Sequence, residues 1–182
     1  MKPALLVFLL LLAACARYSL VPPGSHEIDD AYTVQTSIAW SETSAGSAEL
    51  WTVDGPSLEA VRFFAALEDG DALFEFHGRD NYPRFEGRMT ASEVMEFVVD
   101  SLALAGAANM AATDLRPMKF GTLEGFRFEL TFLDADGLEY DGLAAGAVAD
   151  ERLNLILYTG TRAYYFPKYK SQVERLIASV RM

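Results

Sequence analysis

The chain holds a single cysteine among its 182 residues, so no disulfide can close within it. The fold must stand on packing, even in an oxidising compartment. Histidine is almost as scarce. His26 and His77 both lie in polar, loop-like stretches, and a zinc site built on them would need carboxylate partners that no spacing supplies. Lys and Arg number 15 against 26 Asp and Glu, and a net charge of −11 offers no footprint for nucleic acid. No Lys/Arg cluster is present to hold an anionic bilayer electrostatically. No apolar run reaches the roughly eighteen residues that a spanning helix needs. There is no Gly-x-Ser-x-Gly elbow, and Ser171 and Ser179 lack a paired histidine. The sequence is therefore read as that of a non-enzyme, with no cofactor and no metal.

What is present begins at the N-terminus. Lys2 precedes an apolar run from Ala4 to Leu12, and Leu12-Ala13-Ala14-Cys15 follows. A short apolar stretch ending in small residues is the pattern of a cleaved secretory signal. With the chain's one cysteine placed directly after it, the segment resembles a bacterial lipoprotein signal, Leu-x-x-Cys. That resemblance implies a lipidated Cys15 as first mature residue, holding the membrane through lipid alone. Two or more acyl chains are needed for a stable hold. Ala16 follows in place of the aspartate that resembles an inner-membrane retention signal. The expected address is thus the outer membrane, facing the periplasm, in a Gram-negative organism. Removing residues 1–14 takes Lys2 away and leaves 168 residues with a net charge of −12, enough for one domain with a sizeable core.

Residues 15–30 are read as lipidated cysteine, tether and a short first strand at Tyr18 to Val21, broken by Pro22-Pro23-Gly24-Ser25. Residues 31–182 are read as a single α+β domain. Ala31 to Trp40 alternates with strand period. Ser41 to Ser47 reads as a loop and Ala48 to Val53 as a returning strand. Residues 57–67 fit helix or strand, and the Asp-Gly pairs on either side tip the reading to strand. Leu73, Phe74 and Phe76 read as a short strand, and residues 77–88 as a charged, aromatic-bearing loop. Thr90 and Glu93 form a capping box ahead of the apolar stripe Val94, Phe97, Val98, Leu102, Ala105, with Gly106 ending the helix. Met110 to Leu115 reads as a strand closed by Pro117. Phe126, Phe128, Leu130 and Phe132 alternate with polar residues, as on a half-buried antiparallel strand with one wet face. Leu138 to Val148 pairs back, and Leu153 to Thr159 is the most apolar, central strand. Tyr165 to Val180 reads as the last helix. Helices segregated from an antiparallel sheet make the class α+β, an antiparallel sheet flanked by helices.

This order, with Gly125-Phe126-Arg127-Phe128, Gly142, Leu153 to Tyr158 and the terminal helix from Val173 to Val180, resembles the PsbP-like α/β/α sandwich over about residues 18–181. The resemblance implies a binding or assembly factor without catalysis. Trp51-Thr52-Val53-Asp54-Gly55-Pro56 and Glu68-Asp69-Gly70-Asp71 give the chain a likeness to small proteobacterial lipoproteins.

Few constellations offer chemistry. Asp134, Asp136, Gly137, Glu139 and Asp141 miss the calcium-loop pattern, which wants glycine sixth and glutamate twelfth where Ala145 stands. They read as a hairpin turn. One candidate is aromatic. Tyr82 and Arg84 share a loop, and Tyr164 and Tyr169 flank the start of the last helix. Loops carry binding, and exposed Tyr and Arg favour protein contacts. These four residues are the expected patch for a protein partner, against the alternative that the rings cap the core. The expected function is a lipid-anchored envelope protein that binds a partner or aids envelope assembly. The alternative is a carrier or sensor of a small apolar ligand, and an unrecognised hydrolase comes third.

Cys15→Ser is expected to abolish metabolic labelling with palmitate. Equal labelling of both chains would remove the lipoprotein reading.

Overall fold

A computed structural model of the chain describes residues 18–182 apart from His77 and Arg79. The apolar run, Cys15 and His77 lie outside the described residues. Ten strands and two helices follow in order: β1 Ser19–Val21, β2 Gly24–Ile28, β3 Tyr32–Thr36, β4 Trp40–Ala45, β5 Ala48–Thr52, β6 Glu59–Leu67, α1 Ala91–Leu104, β7 Ala108–Phe120, β8 Leu123–Leu133, β9 Glu139–Ala149, β10 Arg152–Thr161 and α2 Tyr165–Ala178. Eight strands form one antiparallel sheet in the order β1-β4-β5-β6-β10-β9-β8-β7, and β2 with β3 forms a separate hairpin.

Side-chain alternation divides the sheet into two cores. Along β10, Leu153, Leu155 and Leu157 face one way, packed with α1 residues Val94, Phe97 and Val98. Ile156 and Tyr158 face the other, with Trp40, Trp51, Phe63 and the α2 residues Val173 and Leu176. A strand buried on both faces reads as a continuous apolar run, which is why residues 153–159 are the most hydrophobic strand. The β2–β3 hairpin covers the α2 side, burying Ile28, Tyr32 and Val34. The segment after β6 covers the α1 side, burying Leu73 and Phe85. The result is a large antiparallel sheet with one helix on each face.

Local sequence explains the helix ends. The Glu93 N–H reaches Thr90 Oγ1 at 3.4 Å, and the Thr90 N–H reaches Glu93 Oε2 at 2.7 Å, closing the expected capping box. Small residues on β9 are forced by neighbours. A Cβ on Gly146 would collide with the Asn154 carbonyl oxygen of the paired strand.

Several elements differ from the sequence expectation. The alternation from Ala31 to Trp40 is two strands in two sheets. Thr36 Oγ1 accepts from the Ile38 N–H at 3.3 Å and from Trp40 Nε1 at 2.8 Å, and this turn redirects the chain. Residues 40–45 form β4 despite their Ser/Thr content, because backbone pairing to both β1 and β5 needs no apolar side chains. Leu73, Phe74 and Phe76 are not a strand. Leu73 is buried as a plug, and the loop is tied by the Gly70 N–H to Phe85 O and the Phe85 N–H to Asp71 O. β7 runs through Pro117 because it is an edge strand, where a missing N–H faces no partner. Asn109 and Asp114, at φ +52° and +55°, bulge it twice. Part of the stretch expected as tether is built in: β2 pairs with β3, and Ile28 is fully buried. The polar face of β8 is not open water. Arg127 keeps only 19 % of its side-chain exposure, between Glu129 and Glu174 of α2 at 3.5 and 3.6 Å.

Phe128, fully buried and stacked on Phe126, should cost about 3–5 kcal/mol on truncation to alanine. Arg127→Ala should cost about 1 kcal/mol. Denaturant melts of the two variants check the order, and equal losses would show that the face assignment of β8 is wrong.

Candidate functional site

The four residues expected to form one patch are split between the two faces of the sheet. Tyr82 and Arg84 lie with the α1-side loop that plugs its core through Phe85. The Arg84 guanidinium sits 4.2 Å over the Tyr82 ring and donates to Tyr82 Oη at 2.5 Å and to Gly70 O at 2.7 Å. This pair is held and accessible. Tyr164 and Tyr169 belong to the α2 side. Tyr164 is 59 % exposed, while Tyr169 is 8 % exposed and packs against Trp40. The single patch is therefore corrected to two separate pairs, and Tyr169 is a ring that caps the core. The division follows from β6, where Phe63 and Phe64 point to opposite cores.

Tyr169 is fixed by a polar cluster at the β5–β6 turn. Its hydroxyl donates to Asp54 Oδ2 at 2.6 Å, beside Lys168 Nζ at 2.7 Å. These two donors hold the Asp54 carboxyl below its ordinary pKa. Behind it, Glu59 is fully buried. Its Oε1 accepts from Thr52 Oγ1 at 2.7 Å and from the Val53 and Asp54 N–H groups at 2.5 and 2.9 Å. Its Oε2 is buried with no partner. Loss of water around it pushes the Glu59 carboxyl up, against those hydrogen bonds. The cluster locks the β5–β6 turn against the start of α2.

A concavity of about 540 Å³ lies elsewhere, on the α1 side. The last turn of α1 and the chain after it, Leu102 to Ala107, form one wall, Phe132 of β8 another, and Phe74 a third. Arg62 of β6 is the one cation among its described lining residues. Its neighbours across the sheet are Leu157 and Leu50, both buried. Its Nη1 donates to Thr159 Oγ1 at 3.3 Å, and among the described residues no carboxylate lies within ion-pair distance. Burial pulls its pKa below the ordinary arginine value, opposed by the Tyr140 phenol. Arg162, by contrast, is claimed by Asp141 at 2.7 Å and Glu139 at 3.2 Å. Sequence reading missed Arg62. Its signal was a lone charge inside Ala60-Val61-Arg62-Phe63-Phe64, in an otherwise apolar strand.

His26 is placed on the opposite face, its Nε2 2.7 Å from Pro22 O and its ring edge-on to Trp51. Among the described residues no group of three or more His, Cys, Asp or Glu stands close enough to hold a metal ion. No described helix is long and apolar enough to cross a membrane.

No protein-family model matches the sequence, and no curated protein sequence matches it. Solved structures do. The cyanobacterial PsbP (CyanoP) from Synechocystis sp. PCC 6803 superposes with a TM-score of 0.58 at 12 % identity, over 93 % of this chain and 95 % of that one. A protein from Bacteroides thetaiotaomicron VPI-5482 gives 0.53 at 12 % identity over 88 % of this chain, which spans about half of that protein (48 %). At such identities the likeness shows the fold alone, and that fold is PsbP-like.

Glu59 gives a pH signature. Its folded pKa is raised, so the protonated carboxyl contributes stability that is present below the unfolded glutamate value, about 4.3, and is lost as pH rises through the folded value. Asp54 works in the other window, losing its contribution as pH falls below about 3.9. Glu59→Gln should therefore gain in melting temperature relative to the parent as pH rises above about 4.3. Parallel curves for the two proteins would show that Glu59 carries no such cost.

Proposed function

We propose that this chain is a lipid-anchored, non-enzymatic protein of the cell envelope whose domain binds a small apolar ligand in the cleft under the end of α1. The anchor is Cys15, and its place after Leu12-Ala13-Ala14 carries that half of the reading. The cleft carries the other half. It is concave, lined mainly by Phe, Leu and Ala, and falls within the roughly 300–1,000 Å³ typical of small-molecule sites. A partner protein would want exposed, clustered aromatic and arginine side chains. The division of Tyr82 and Arg84 from Tyr164 and Tyr169 leaves that reading only the smaller pair of contacts on each face. The ligand reading is therefore the better supported of the two. An outer-membrane position facing the periplasm goes with it, from the residue after Cys15.

The test uses isolated envelopes holding the full chain and a neutral long-chain alkyl diazirine. Light should attach the probe to peptides carrying Phe74, Leu102 and Phe132. Ala105→Trp, placed at the solvent-exposed C-cap of α1 beside the cleft, should suppress that attachment with the melting temperature unchanged. Label scattered over the surface and indifferent to Ala105→Trp would overturn the reading.

A further inference from the structure

We infer that the ligand of this cleft is one acyl chain of the lipid on the protein's own Cys15. The inference rests on both halves of the reading above, the lipidated cysteine and the apolar cleft, and names what fills the second. Direction and length bring the two together. β1 pairs antiparallel with β4, Ser19 opposite Glu42 and Val21 opposite Trp40. The start of β1 therefore points along β4 towards Ala45 and Gly46, at the β4–β5 turn that lines the cleft. Gly46 stands four residues beyond Glu42, and Cys15 stands four residues before Ser19. Four residues of extended chain reach at most about 14 Å. A lipid on Cys15 can thus arrive at the mouth of the cleft with no strand displaced.

The face agrees. Trp40 and Trp51 belong to the α2 core, whereas Ala48, paired with Ala45, belongs to the α1 core. On β1, Val21 belongs to the α2 core, so alternation turns Leu20 to the α1 side, the side of the cleft. Leu20 is 74 % exposed, and Tyr18 just before it is 46 % exposed. The chain thus leads towards Cys15 with an apolar side chain open on the cleft's side of the sheet. A hydrocarbon chain asks only for apolar walls, here Phe74, Leu102 and Phe132, and needs nothing from the charged groups beside them. Tethering favours this occupant over a free one. A ligand on a short linker competes at a millimolar effective concentration, so a free amphiphile enters only by displacing the protein's own chain. The bilayer is the competing home for that chain. The lipoprotein resemblance implies a diacylglycerol on the Cys15 sulfur and a further acyl chain on its amine. Two chains hold a stable anchor, which leaves one free to move from bilayer to cleft.

The experiment feeds a diazirine fatty acid to cells expressing the full chain, so that the cell's own acylation places the probe in the lipid on Cys15. Isolated envelopes are irradiated and the protein is digested. The parent should yield a cross-link between the Cys15 peptide and peptides carrying Phe74, Leu102 or Phe132, and the cross-linked protein should keep the mass of a monomer. Ala105→Trp and Ala135→Trp, each at an exposed position lining the cleft, should remove most of that cross-link. Probe incorporation at Cys15 and melting temperature should stay at the parent values. The two substitutions sit on different elements, so a folding defect in one leaves the other readable. Cys15 lipid cross-linked only to phospholipid, in parent and variants alike, overturns the inference. The neutral alkyl diazirine applied to the same envelopes then separates the two failures: label in the cleft spares it as a site for another ligand, and no label there overturns the cleft reading as well. A cross-link at dimer mass gives the cleft to a neighbouring molecule's lipid and overturns the inference too. Absence of probe at Cys15 removes the lipoprotein reading, and this inference with it.

Discussion

The rest of this structure depends on the alternation of side chains across two adjacent strands, β6 and β10. With no disulfide available, the two cores are held apart and held together by that alternation alone. On β6 it sends Val61 and Phe63 towards α2, and Arg62 and Phe64 towards α1. A slip of one residue would exchange every side chain between faces and drive a guanidinium among Trp51, Phe63 and Tyr158. The register is pinned where the ladder is weakest. At the irregularity opposite Leu153–Leu155, Ala66 takes a φ of +48° and its N–H is met by Asn154 Oδ1 at 2.9 Å. A buried asparagine thus completes the backbone bonding that the bulge interrupts.

The two faces are finished differently, and the difference separates structure from site. On the α2 side a polar cluster locks the β5–β6 turn, though Glu59 Oε2, Tyr32 Oη and Arg127 Nε stay buried without a partner among the described residues. Asp54, Lys168 and Tyr169 bond to one another, Tyr158 Oη donates to the carbonyls of Tyr165 and Phe166 at 3.0 and 2.9 Å, and Glu59 ties the turn. On the α1 side the end of the helix stops short of covering the sheet. Arg62, half-buried and bonded to Thr159 Oγ1 at 3.3 Å, faces the gap.

Much of the fold was legible because local signals agreed with global ones. The α1 capping box, the Asp-Gly turns around β6, the alternation of Phe126 to Leu130 and the run from Leu153 to Thr159 each point to their observed element. Where reading failed, backbone pairing or tertiary packing overruled composition. β4 is polar yet paired on both sides, Leu73 and Phe74 are plugs rather than strand residues, and Pro117 sits in a strand because that strand is an edge. The functional side was less legible. Tyr82, Arg84, Tyr164 and Tyr169 look alike in sequence, and only the sheet between them shows that they are two groups. Arg62 was hidden by its surroundings, since a single charge in an apolar strand states nothing about which face it takes until the register is known.

The far edge of the sheet has a consequence for how copies of this chain meet. β7 presents its unpaired backbone to solvent over thirteen residues, a length that would ordinarily recruit another strand. Its bulges break that ladder after Ala108 and again after Thr113, and the longest regular stretch left, Arg116 to Phe120, contains Pro117. An incoming chain finds no unbroken series of donors and acceptors to copy. A neighbouring molecule can therefore meet this edge without extending the sheet through it.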